Sequence, residues 1–103
     1  MIRHCVWAKF RTDVPASEKQ EIYDQLAALG AVIEGILKSD FGPNVSPEGL
    51  SRGYADGFVM DFENEAARDA YLVHPDHQTA GSRLVAACEG GRDGILVFDI
   101  EID

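Results

Sequence analysis

From Ile2 to Arg11 the chain alternates without a break: Ile2, His4, Val6, Ala8 and Phe10 on one face, Arg3, Cys5, Trp7, Lys9 and Arg11 on the other. A period of two over that length is a β-strand with one dry face, so the chain must build a sheet and cover it. His4 is in phase with the apolar residues and is expected to point inward. A second alternating run, Tyr54 to Phe62, puts Asp56, Phe58, Met60 and Phe62 on one face and Ala55, Gly57, Val59 and Asp61 on the other.

Between these runs the period changes. Ile22, Leu26, Leu29 and Ile33 recur at helical spacing, and Pro15, with a Ser17–Gln20 capping box, starts a helix expected to reach Glu34 before Gly35 ends it. A strand follows from Ile36 to Gly42, then a loop dense in turn formers from Pro43 to Gly53. Asn64 is placed to cap a short helix carrying Ala67, Ala70 and Tyr71, which must stop before Pro75. Pro75 opens another helix, with Ala80, Leu84 and Ala87 as its buried stripe. Ile95 to Ile102 is the last strand. The order β-α-β-β-α-α-β predicts an α+β fold, a ferredoxin-like four-stranded antiparallel sheet with its helices on one face. The other sheet face, with Cys5, Trp7 and Val59, is too apolar for water, and a second copy of the sheet is the simplest cover.

The 103 residues have room for a single domain, 1–103, whose small core makes oligomerisation a natural source of stability. A formal net charge of −9 repels phosphate backbones and anionic membranes, so nucleic-acid and membrane partners are not expected. No leader or membrane span is seen, and Cys5 and Cys88 match no metal or redox spacing, so both are read as reduced thiols in a cytoplasmic protein. No P-loop, dinucleotide fingerprint, nucleophile elbow or metal-ligand spacing is present, and neither cofactor nor metal is expected.

Met1-Ile2-Arg3-His4 with Lys9-Phe10, the loop from Asn44 to Ser51 with Gly53-Tyr54, the segment Tyr71 to Gln78, and Val97-Phe98-Asp99 together resemble the stress-responsive A/B barrel domain (Dabb) family. The resemblance implies a protomer whose sheet pairs with a partner's to form a dimeric α/β barrel. It also implies similarity to plant polyketide cyclases of the olivetolic acid cyclase type. Those perform an intramolecular aldol condensation without metal or organic cofactor, using a tyrosine and a histidine in a Tyr-x-x-His-Pro-x-His segment. These two correspond to Tyr71 and His77, and a first-strand histidine corresponds to His4. Asp56 stands where the cyclase has a histidine, and Ile22 and Leu26 replace bulky aromatics of its first helix.

The expected site therefore has Tyr71 and His77 as catalytic residues and His4, Ile22, Leu26, Asp56, Phe58 and Met60 as its substrate-binding wall. An inward carboxylate needs a partner, and His4 is the one expected for Asp56 if their strands are adjacent. Such a pair either is structural or fixes an imidazole tautomer for general-base work. His77, in the first turn of its helix, is expected to be neutral. The alternative is that His74 caps the helix and His77 satisfies a nearby backbone group. Two functions follow: a cofactor-independent cyclase or lyase acting on a phenolic or keto ligand, or a non-catalytic stress-response module binding a small molecule.

Overall fold

A computed structural model describes residues 1–103. The alternating N-terminal run forms β1 (Ile2–Ala8), and the elements after it are α1 (Ala16–Ala27), β2 (Ile36–Pro43), β3 (Asp56–Phe62), α2 (Glu65–Val73), α3 (Pro75–Ala87) and β4 (Ile95–Glu101). The strands form one antiparallel sheet in the order β2-β3-β1-β4, the ferredoxin-like arrangement expected from the element order. β1 is central, and β4 is an edge.

The inward face of the sheet packs under the helices. Ile22 and Leu26 of α1, Met60 and Phe62 of β3 and Tyr71 of α2 are the largest side chains sealed from solvent. Each such burial contributes about 1.5–3 kcal/mol, which is why the periodicity of these segments was readable. Asn64 caps α2 as expected, its side chain accepting from the Ala67 amide at 2.9 Å. Pro75 separates α2 from α3, and His74 between them caps α3, its Nδ1 accepting from the Asp76 amide at 3.1 Å.

Across the sheet, Leu96, Phe98 and Ile100 of β4 lie opposite Trp7, Cys5 and Arg3. The three β4 side chains are 44–47% exposed, so this face presents a band of bare apolar surface. Trp7 lies against β3 at Gly57, where a Cβ would come within 2.5 Å of the indole. Only glycine fits there.

Three expectations need correction. The first helix does not run to Glu34: α1 ends at Ala27 and a 3₁₀ turn covers Ala28–Ala31. Gly30 is a poor helix former, and the tighter turn still lets Leu29 and Ile33 reach the core. The Ser17–Gln20 capping box does not form. The helix begins two residues earlier than that box requires, Pro15 occupies the cap position, and Gln20 instead donates to Asp24 at 2.9 Å. The third correction concerns His4 and Asp56. Both face inward, but Asp56 pairs with Ala8 in the register while His4 pairs with Met60, so the two lie four residues apart along β1, about 13 Å.

Candidate functional site

The helices cover β2, β3 and β1 more fully than the edge strand β4, and a cleft of about 870 Å³ opens between β4 and α3. Its floor is the inward face of β1 and β4, with His4, Val6, Ile95 and Val97. Its walls include Tyr71 of α2 and His77, Gly81 and Ser82 of α3, with Leu26 and Phe58 at the back. The volume is in the range of small-molecule sites. Of the expected site residues, the fold thus brings together Tyr71, His77, His4, Leu26 and Phe58. Ile22 and Met60 are sealed in the core and do not line the cleft. Asp56 lines a different cavity, near Trp7, Phe41 and Tyr54, and its carboxylate takes a bond from Lys19 at 3.3 Å.

The partner of His4 is Asp99, directly opposite it on β4, with Nδ1 to Oδ1 at 2.7 Å. The other oxygen of Asp99 accepts from Arg68 of α2 at 2.5 Å. Burial alone raises the Asp99 carboxyl, but the bonds from Arg68 and His4 outweigh it and hold the group below its ordinary value of 3.8. An ionised Asp99 requires hydrogen on His4 Nδ1. In the neutral ring that leaves Nε2 as the free lone pair, on a side chain that lines the cleft. Sequence reasoning missed Asp99 as this partner, although it alternates in phase with the inward residues Ile95 and Val97.

His77 is fixed in a similar way. Its Nδ1 lies 3.3 Å from the carbonyl of Leu72, an acceptor, so hydrogen sits on Nδ1 and Nε2 is left unprotonated in the neutral ring. Gly81, one turn along α3, keeps the space beside that nitrogen open: even a Cβ there would stand 3.7 Å from Nε2. Burial pushes the His77 pKa below its ordinary 6.5, with the Leu72 bond opposing it more weakly, so the neutral form prevails at neutral pH. Both parts of the structural alternative are therefore present, His74 as a cap and His77 on a backbone carbonyl, and His77 lines the cleft as well.

Tyr71 lies between the two histidines. Its ring centroid is 4.0 Å from that of His77 and 5.9 Å from that of His4. The residue is fully buried, and its hydroxyl has no hydrogen-bond partner in the protein. Burial pushes the phenol well above its ordinary value of 10, so it remains a donor.

The model of the stress responsive A/B barrel domain, Dabb, matches residues 2–102 of the sequence. The chain belongs to this family. Among Dabb proteins, the stress-response A/B barrel domain-containing protein HS1 of Arabidopsis thaliana is 30% identical over 98 residues, covering 95% of this chain and 86% of that protein. A dimeric ferredoxin-like protein of unknown function from Jannaschia sp. CCS1 superposes with a TM-score of 0.91 at 39% identity, covering 98% of each chain. The hydroxynitrile lyase of Passiflora edulis has the same fold, with a TM-score of 0.87 at 17% identity over 99% of this chain and 93% of that one. No helix of this Dabb chain is long and apolar enough to cross a membrane.

Proposed function

We propose that this Dabb protein is a homodimer that holds a small phenolic or keto compound in the cleft of each protomer and performs cofactor-independent cyclase or lyase chemistry on it. The observation that carries this reading is the Tyr71 hydroxyl, a fully buried donor without a protein partner, beside a neutral histidine in an open cleft. A buried donor left unpaired is costly, and a ligand oxygen that accepts from it offsets the cost. His77 Nε2 removes a proton from an activated carbon or hydroxyl, and Tyr71 donates to the oxygen on which negative charge develops. His4, held by Asp99, lines the same cleft and offers a ring nitrogen to the same ligand. That the fold can host a lyase is exemplified by the Passiflora edulis enzyme.

The dimer reading rests on the bare band of Leu96, Phe98 and Ile100 and on the dimeric Jannaschia relative. Both cysteines are free thiols, which fits a reducing compartment, the cytoplasm.

The test is a thermal-shift screen of phenolic and β-keto compounds, followed by turnover assays on the hits. His77→Ala should lower turnover by about 10²–10⁴ while the fold survives. Undiminished turnover in that variant would end the catalytic reading. Hits that bind in the cleft without any turnover would assign the protein to the binding modules instead.

A further inference from the structure

The charge around the cleft is at odds with the charge of the chain. The protein carries 18 acidic side chains against 9 basic ones. Yet none of the 16 residues lining the cleft is acidic, and they include Arg92, His4 and His77. The cavity that holds Asp56 differs, for Asp40 lines it as well.

Arg92 is unusual among the basic residues. Arg3, Arg11, Lys19, Lys38, Arg68 and Arg83 each hold a carboxylate. Lys9 lies over the ring of Tyr54. Of the nine, only Arg52 and Arg92 have neither an ion pair nor an aromatic partner. Arg92 sits in the 3₁₀ turn that leads into β4, its side chain exposed at the rim of the cleft. In so acidic a chain a free guanidinium has many carboxylates to choose from, and the fold directs none to this one. The one carboxylate beneath the floor, Asp99, is already bonded by His4 and Arg68, and an apolar-walled cleft focuses the field of the free arginine.

We propose that the ligand of the cleft is a small organic acid, with its carboxylate held by Arg92 at the rim and a carbonyl or phenol oxygen reaching Tyr71 inside. The inference deepens the small-molecule reading of the cleft and rests on it. Arginine suits the task because its planar fork matches a carboxylate, and the charged bond is roughly twice as strong as a neutral one. A ligand anchored at the rim leaves its inner end facing His77 Nε2, so Arg92 sets specificity and takes no part in proton transfer.

The experiment uses acids and their amides, which match in shape and differ in charge: 3-hydroxybenzoate with 3-hydroxybenzamide, and 3-phenylpropanoate with 3-phenylpropanamide. Titrations at neutral pH follow affinity by calorimetry and occupancy by the imidazole NMR signals of His4 and His77. In the wild-type protein each acid should bind about 10- to 100-fold more tightly than its amide, and added salt should narrow the gap. Arg92→Gln should bring the acid to the affinity of the amide and leave the amide unchanged. Equal affinities in the wild-type protein, or a preference that survives in Arg92→Gln, would overturn the inference and leave the cleft reading intact. If no member of either pair perturbs His4 or His77, the cleft reading falls and the inference with it.

Discussion

Replacing Tyr71 by phenylalanine removes one oxygen and leaves the ring, its packing against Phe62 and its place between the histidines unchanged. That oxygen is buried and has no partner in the protein. An unpaired buried hydroxyl costs the folded state about 1–3 kcal/mol. Unfolding entropy of about 2.1 cal/mol/K per residue gives roughly 0.2 kcal/mol/K for a chain of this length, so Tyr71→Phe should raise Tm by about 5–14 °C. Scanning calorimetry on the ligand-free protein measures it. The same substitution should lower turnover by about 10²–10³, since one oxyanion donor is lost. Tyr23→Phe is the control. Its hydroxyl is likewise buried but lines neither large cavity, so that variant should keep ligand binding and turnover. A Tyr71→Phe protein no more stable than wild type would refute the reasoning, because the hydroxyl would then have no unmet bond to offer a ligand.

Three further outcomes are expected. The pKa of His77 is lowered by burial, so the stability it contributes is complete above pH 6.5 and is lost as pH falls from there through its lowered value. Turnover that depends on its neutral form in the folded protein holds until pH reaches that lowered value and declines below it. Urea midpoints and rates measured from pH 8 to 4 check this, and in His77→Gln the stability change below 6.5 should shrink to what the lowered carboxyls of Asp61 and Asp99 contribute near pH 4. Phe98→Glu, in the exposed apolar band, should cost the dimer several kcal/mol and yield a folded monomer in sedimentation at micromolar concentration. Asn64→Ala removes the cap of the helix that carries Tyr71 and should cost about 1 kcal/mol in chemical denaturation, with the dimer intact.

Most of the framework was legible because it is written in local periodicity. Alternation in β1 and β3 named the inward face, and the helical spacing of Ala80, Leu84 and Ala87 named the stripe of α3 that becomes buried. Tyr71 and His77 could be placed on one cavity because only a proline-broken corner separates them, and their relation depends on six residues of chain. The wall of the cleft was less legible. Ile22 and Met60 have the same apolar signature as Leu26 and Phe58, and all four are buried, yet only Leu26 and Phe58 border the cleft. That difference reflects how far the helices reach over the sheet, which no residue type encodes.

The partner of His4 shows the boundary most sharply. β1 lies between two strands, and each carries an aspartate on the inward face: Asp56 on β3 and Asp99 on β4. The alternation of residues reveals that both point inward. It does not reveal which of them stands opposite His4, for that depends on the sliding register of strands that meet across 52 residues in one case and 95 in the other. Register is set by how whole faces pack and by the turns that deliver each strand, and a shift of four residues keeps every side chain on its proper face while carrying a carboxylate about 13 Å from the histidine it might have oriented.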